Sequence, residues 1–165
     1  MKAIHVVLVA LMTAAALTAV AAAGPQAATQ RVAITSQAER TTTVSAAALT
    51  PLGNGALRPD AGSFVASPGS QTSPTHAIRD GQSVEVYSGT GTFRGRRGRI
   101  VMRIRQEYVD AGNGYHPATG TWKVLRGTGA YEGITGGGRL GHVWLEWNDH
   151  WSSRLEGFLT LSKGA

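Results

Sequence analysis

The 165-residue chain contains no cysteine. Disulfide bonds, thiol catalysis and cysteine-bound zinc are therefore excluded, and a folded domain must be held together by its core alone. Charged residues make up only 16% of the sequence, but Lys and Arg outnumber Asp and Glu by 16 to 10, which gives a net charge of +6. No serine lies in a Gly-x-Ser-x-Gly motif, so the sequence does not indicate a hydrolase of that type.

Long apolar runs are absent from the sequence except at its beginning. Residues 1–23 start with a positive charge at Lys2, continue as an uncharged apolar run and end in three alanines before Gly24. This is the plan of a helical secretory signal peptide. An uncleaved membrane anchor is the alternative, because the run reaches the length of about 20 residues that spans a bilayer. Both readings predict a secreted or extracytoplasmic protein.

The rest of the chain predicts short strands and no amphipathic helix. Residues 24–30 are expected to form a flexible lead, and residues 31–163 a single domain. Segments with period-two alternation or many β-branched residues are separated by turns rich in glycine, proline and asparagine. The predicted strands are 31–36, 40–49, 62–66, 83–87, 100–109, 120–126, 140–147 and 153–161. An all-β fold is therefore expected, as a single small antiparallel β-barrel of about eight strands or a sandwich, and closure is favoured because it removes edge strands.

Residues 120–138, GTWKVLRGTGAYEGITGGG, combine a strand with a dense run of glycines. Glycine permits positive φ angles and close backbone approach, which a barrel needs where it turns a corner. The predicted structural corner, called the glycine corner below, consists of Gly127, Gly129, Tyr131, Gly133 and Gly136. Its spacing does not match the dinucleotide-binding fingerprint and no helix follows, so no nucleotide is expected there.

Several segments of this chain, taken together, resemble a known group of proteins. These segments are RDGQSVEV (79–86), GRRG (95–98), QEYVD (106–110), GTWKVLRGTGAYEGITGGGR (120–139) and LEGFL (155–159). They resemble small exported bacterial proteins related to the allene oxide cyclase and dirigent barrel group. The resemblance covers roughly residues 31–161, and it implies an eight-stranded antiparallel barrel whose central cavity holds a small apolar ligand. It carries over no catalytic residue.

The interior of the predicted barrel supplies the candidate ligand-binding residues, which are Gln106, Tyr108 and Trp122. If the barrel is hollow, their polar atoms orient a small apolar or amphipathic ligand; if it is filled, they are core residues. An isomerase or cyclase is the enzymatic alternative, and it needs a titratable group inside the barrel. Strand phases place Glu107 outside, so finding Glu107 or Glu85 in a cavity would favour an enzyme. No cofactor is expected.

Arginines cluster around the turn at residues 95–98. The cluster consists of Arg94, Arg96, Arg97, Arg99, Arg103 and Arg105. Its outward-facing members predict a positive stripe that either binds an anionic cell-envelope polymer or is simply a solvated wall. Nucleic acid is the least favoured partner, because no aromatic residues interleave with the arginines for base stacking. Val101 and Trp144 are predicted to be exposed, as candidate contacts in a homo-oligomer.

No metal site is expected from the histidines. His116 and His150 are predicted in loops, and His142 on the outer face of a strand. Glu146 shares the face of His142, but four residues along a strand span about 13 Å, too far for one ion.

Overall fold

The structure is a computed structural model that describes residues 27–39, 44–66 and 74–162. The predicted signal peptide, residues 40–43 at the start of the second predicted strand and residues 67–73 of a predicted loop lie outside the described residues. The described strands are β1 (Ala28–Glu39), β2 (Val44–Leu52), β3 (Asp60–Ala66), β4 (Thr75–Arg79), β5 (Gln82–Gly95), β6 (Gly98–Tyr108), β7 (Tyr115–Gly129), β8 (Thr135–Leu145) and β9 (His150–Leu161). Within those ranges, no helix is long and apolar enough to cross a membrane.

Eight of the strands close into an antiparallel barrel. Their order is β3-β2-β1-β9-β8-β7-β6-β5, and β3 returns to β5 by pairing Gly62–Ala66 with Gly91–Gly95. The ninth strand, β4, lies outside this ring and pairs with the first residues of β5. The predicted all-β fold and closed eight-stranded barrel are therefore confirmed, and β4 is an addition that its five-residue sequence did not signal.

The turn between β4 and β5 follows from its residues. Asp80 and Gly81 both have positive φ, at 49° and 80°. A two-residue hairpin turn of type I′ requires this conformation at both positions, and Asp-Gly is among its preferred sequences. Residues 79–82 therefore form a turn of this type between β4 and β5.

All eight predicted strands have different bounds in the structure; β1 starts at Ala28, so residues 28–30 of the predicted flexible lead belong to a strand, and two further differences affect β5 and β8. The glycines after Tyr87 were expected to interrupt β5, but β5 runs unbroken from Gln82 to Gly95. Its later residues pair with β3 on one side and β6 on the other, and this pairing keeps the glycines extended. The strand predicted to reach Trp147 ends at Leu145, where residues 146–148 form a single 3-10 turn.

The predicted faces of β6 and β7 are confirmed. Ile100 and Met102 are fully buried, whereas Arg99 and Arg103, which flank them in the sequence, are exposed. Trp122 is also buried, and its indole N–H donates to the backbone carbonyls of two neighbouring strands. The barrel core is built from inward side chains of all eight strands together with residues from two connecting segments. Its buried members are Val32, Ile34, Ala47, Leu49, Leu57, Phe64, Phe93, Ile100, Met102, Trp122, Val124, Tyr131, Ile134, Leu140, Leu155 and Leu159.

A buried carboxylate joins three segments at the end of the barrel where the glycine corner lies. Asp60 accepts hydrogen bonds from the backbone N–H groups of Arg96 and Arg97, at 3.0 and 3.1 Å, and from the hydroxyl of Tyr131, at 2.8 Å. Tyr131 itself is fully buried. Gly129 and Gly133, on either side of it, have φ of +63° and +66°, which L side chains rarely adopt. The glycine corner thus folds a tyrosine into the core, where Asp60 fixes its hydroxyl.

Candidate functional site: the barrel cavity

A cavity of about 710 Å³ occupies the other end of the barrel. Its floor is the upper surface of the core, formed by Phe64, Ile104, Leu140 and Leu155. Exposed residues such as Glu85 lie in its lining, so the cavity opens to solvent. The sequence had left a hollow and a filled barrel as alternatives, and the structure combines them, with one end filled and one end hollow.

The hollow end follows from small residues at inward positions. Inward-facing places along β5 are taken by Gly89 and Gly91, which line the cavity. Ala66 at the end of β3 and Ser153 on β9 line it as well. An eight-stranded barrel has an interior that ordinary side chains fill. Gly91 makes room for the ring of Phe64 in the cavity floor, and the small residues at the other three positions leave space for a ligand.

Two tyrosines on neighbouring strands form one wall of the cavity. Tyr108 accepts a hydrogen bond from the side-chain amide of Gln106 at 3.0 Å, and its ring lies edge-on to Tyr87 with centroids 5.3 Å apart. The hydroxyl of Tyr87 donates to Glu85 at 2.8 Å. Burial raises the pKa of the Tyr108 phenol well above its usual value, and burial together with Glu85 raises the pKa of Tyr87. Both hydroxyls are therefore protonated at neutral pH.

His142 forms the adjoining wall, which corrects the prediction that it lies on the outer face. Its Nδ1 is 2.7 Å from the hydroxyl of Ser153, and its ring approaches those of Tyr108 and Trp151. Burial lowers the pKa of His142 to about 4. The imidazole is therefore neutral at pH 7, which suits an aromatic wall.

Trp144 and His116 also lie in the cavity lining rather than on the surface or in a loop. Trp144 follows His142 on the inward face of β8, so its predicted exposure is wrong. His116 is the second residue of β7 and stacks on Trp144 with centroids 4.6 Å apart. The His116 Nε2 lies 3.6 Å from a carboxylate oxygen of Glu146, which is longer than a hydrogen bond.

Two of the three predicted ligand-binding residues lie in the cavity lining, and the third does not. Gln106 and Tyr108 line the cavity, whereas Trp122 is absent from the lining and lies in the packed core. Sequence reasoning missed Tyr87, His142 and several other aromatic members of the lining. Counting every second residue from Leu140 on β8 and from Leu155 on β9 would have found the aromatic lining residues of these two strands, because alternate residues of a strand point to the same side.

The two glutamates that were to decide the enzyme alternative point in opposite directions. Glu107 lies on the outer face, as predicted, and forms ion pairs with Arg79 and Arg105 at 3.2 and 2.7 Å. These two arginines hold the pKa of Glu107 below its usual value. Glu85 lines the cavity mouth, while Val84 and Val86 are buried on the opposite face of β5. The valine pair therefore lies on the outward side of β5, and Glu85 lies on the inward side.

The outer wall carries the predicted arginines, and all six are exposed. Strand register adds a feature that the sequence did not reveal. Arg94 on β5 lies directly opposite Arg99 on β6, and Arg103 on β6 lies directly opposite Lys123 on β7. Arg126 lies opposite Val101, between these two like-charge pairs. Arg94, Arg99, Arg103, Lys123 and Arg126 are called the basic face below, and none of them forms an ion pair within the described residues.

In the part of the chain that the structure describes, no three His, Asp or Glu side chains come together as metal ligands. No family model matches the sequence, and neither the curated proteins nor the solved structures contain a match to it. Functional inference therefore depends on the cavity and the basic face themselves.

Proposed function

We propose that this protein is an exported β-barrel that binds a small apolar or amphipathic ligand in its cavity without chemically changing it. Export is inferred from the signal-peptide plan of residues 1–23. The likeness to the allene oxide cyclase and dirigent barrel group, which rests on sequence motifs, agrees with a ligand held inside the barrel. The cavity of about 710 Å³ is the observation that carries the proposal.

The size and lining of the cavity fit this role. Ligand sites in proteins usually enclose about 300–1,000 Å³ and combine apolar walls with a few placed polar groups. Here Ile104, Leu140 and Leu155 supply an apolar floor. The paired side chains of Gln106 and Tyr108, with a hydroxyl and an amide at 3.0 Å, supply polar groups above it. A ligand with a large apolar part and one polar end matches this arrangement.

The test uses the neutral fluorescent probe N-phenyl-1-naphthylamine and two matched variants. Ala66→Phe places a ring in the cavity, whereas Ala46→Phe places the same ring on the exposed outer side of β2. We expect the unmodified protein and Ala46→Phe to bind the probe, and Ala66→Phe to bind it at least about tenfold more weakly, since a filled pocket excludes it. Equal binding by the two variants, or no binding by the unmodified protein, would refute the proposal. A native mass spectrum of protein from its own culture medium would identify a retained ligand.

The isomerase or cyclase alternative is favoured by one observation. Glu85 and His142 both line the cavity, so titratable groups are present beside any bound molecule. The neutral state of His142 down to about pH 4 makes it a weak base. Binding without turnover therefore remains the preferred function.

A second candidate function is binding of a phosphate-rich cell-envelope polymer by the basic face. Like charges placed directly opposite each other on neighbouring strands destabilise a sheet. The basic face contains two such pairs, which is a cost that an anionic partner would relieve. Four of its five members are arginines, whose planar guanidinium groups bind phosphate in a bidentate manner.

Retention on immobilised poly(glycerol phosphate) tests the second candidate. Arg99→Gln with Arg103→Gln removes two charges from the basic face. The control, Arg31→Gln with Arg154→Gln, removes two charges that are already paired with Glu156. We expect the first double variant to elute at clearly lower salt than the control, because unpaired cations contribute most to polyanion binding. Equal elution of the two variants would refute a role for the basic face.

A further inference from the structure

The cavity is lined with negative charge and aromatic rings, in a protein whose overall charge is positive. We infer that its ligand is a lipophilic cation, an organic ammonium group attached to an apolar body. This inference rests on the proposed ligand-binding function and names the class of ligand.

The charge of the lining is the first observation. The chain carries 16 Lys and Arg residues, but none is among the described residues that line the cavity, where the charged members are Glu85 and Asp110. Both carboxylates lie at exposed positions around the mouth. Clefts lined by charge of one sign concentrate oppositely charged ligands. The mouth therefore attracts cations and disfavours anions.

The aromatic content of the lining is the second observation. Ring contacts run without interruption from Tyr87 to Tyr108, to His142 and to Trp151, with successive centroids 5.3, 5.5 and 5.8 Å apart. Trp144 lines the cavity as well. Tyrosine and tryptophan rings attract cations through their π electrons, and sites for quaternary ammonium groups are typically built from several such rings.

The histidines in the lining do not cancel this preference. Burial keeps His142 neutral at pH 7. His116 is stacked on Trp144, and its Nε2 lies 3.6 Å from the Glu146 carboxylate. His76 is exposed at the mouth. The carboxylates of Glu85 and Asp110 are therefore the charges that the Asp, Glu, Lys and Arg side chains bring to the lining.

A displacement experiment with three ligands of similar shape tests the inference. Phenyltrimethylammonium and tert-butylbenzene differ in replacing the positive nitrogen by carbon, and benzenesulfonate carries the opposite charge. Each is titrated against the cavity-bound N-phenyl-1-naphthylamine. We expect the cation to bind about tenfold more tightly than the neutral compound, and the anion to bind most weakly.

Two glutamine substitutions separate the cavity charge from the outer charge. Glu85→Gln keeps a hydrogen-bond acceptor for Tyr87 but removes the charge. We expect it to reduce the affinity of the cation about threefold more than that of tert-butylbenzene. Glu107→Gln is the control, because Glu107 lies on the outer face of the adjoining strand and pairs with Arg79 and Arg105. It should leave the preference for the cation unchanged.

The outcomes distinguish this inference from the proposed function. Equal or tighter binding of tert-butylbenzene, or a cation preference that Glu85→Gln and Glu107→Gln reduce equally, overturns the cationic ligand while ligand binding stands. If the cavity binds the probe and none of the three compounds displaces it, the cationic ligand is likewise overturned while ligand binding stands. Failure of the probe itself to bind overturns the proposed function and this inference together.

Discussion

Asp60 holds the filled end of the barrel together, and its substitution gives the sharpest test of the fold. Its two carboxylate oxygens accept three hydrogen bonds from buried or partly buried donors, which are the backbone N–H groups of Arg96 and Arg97 and the hydroxyl of Tyr131. In Asp60→Asn one oxygen becomes an amide NH₂ group. Whichever way the amide is oriented, at least one of the three donors then faces another donor.

The expected cost follows from these contacts. A hydrogen bond to a charged group contributes about 1.5–3 kcal/mol, and an unsatisfied buried donor costs about 1–3 kcal/mol. We therefore expect Asp60→Asn to lower the free energy of unfolding by about 2–4 kcal/mol. At about 3 °C for each kcal/mol in a domain of this size, the melting temperature should fall by about 6–12 °C. Asp80→Asn is the control and should change stability by under about 0.5 kcal/mol, because Asp80 is exposed in a turn that asparagine also favours.

Urea unfolding followed by tryptophan fluorescence measures these changes, and a double-mutant cycle isolates the contact itself. Tyr131→Phe removes the hydroxyl but leaves two backbone donors on Asp60, so a loss of about 1–2 kcal/mol is expected. Asp60→Asn and Tyr131→Phe together should cost less than the sum of the single changes by at least about 0.5 kcal/mol. A cost under about 1 kcal/mol for Asp60→Asn, or additivity in the cycle, would show that the carboxylate does not join these segments.

Two further predictions concern the cavity wall and the glycine corner. The pKa of His142 falls from 6.5 to about 4 on folding, so the stability linked to its neutral state is fully present above pH 6.5 and is lost as the pH falls towards 4. Between pH 7.5 and 4.5 this loss of unfolding free energy is about 2–3 kcal/mol. In His142→Phe, the urea midpoints at pH 7.5 and 4.5 should therefore lie closer together than in the unmodified protein. If His142→Phe kept the full pH dependence of stability, His142 would not be the group responsible for it. In Gly127→Ala the new methyl group would overlap the backbone carbonyl of Tyr131, so we expect a loss of about 1–3 kcal/mol, whereas Gly141→Ala, which meets open space, should be within about 0.5 kcal/mol of neutral in the same urea assay.

The parts of the fold that were predictable are those in which alternation is strong. On β6, the inward positions from Ile100 to Ile104 are all apolar, and three of the four outward positions from residue 99 to residue 105 are arginines, with Val101 as the fourth; this contrast predicts both faces correctly. Trp122 and Val124 on β7 were placed inside for the same reason. A period-two pattern fixes a face because a strand places successive side chains on opposite sides.

Alternation failed where the barrel is hollow. The sequence predicts His142 on the outer face of its strand and Trp144 exposed, but both line the cavity. On β5, Val84 and Val86 are buried on the outward face, and the inward position between them belongs to Glu85. A cavity lining mixes polar and apolar residues, so the contrast between the two faces of a strand disappears at that level. Errors of phase in this chain are therefore concentrated at the candidate site.

Closure of the barrel and the role of Asp60 depend on pairings between distant residues. β3 and β5 are adjacent in the barrel, but β4 lies between them in the sequence. Asp60 and Tyr131 are 71 residues apart and meet in the core. Local pattern carries no information about such pairs. The density of glycine in the glycine corner predicts a sharp bend. The hydrogen bond from its tyrosine to the Asp60 carboxylate is known only from the structure.

Under the proposed function, the filled end of the barrel supplies stability and the open end binds the ligand. At the filled end, Phe93, Ile100 and Tyr131 are fully buried, and the nearby carboxylate of Asp60 accepts three hydrogen bonds. At the open end, the same strands β5 and β6 carry small or polar inward residues, which bury less apolar surface and so contribute less to folding. A binding site made of such residues is stable only if the strands are fixed elsewhere along their length. Weakening Asp60 should therefore lower ligand affinity only in proportion to unfolding, whereas changes at Glu85 should alter ligand choice without altering stability.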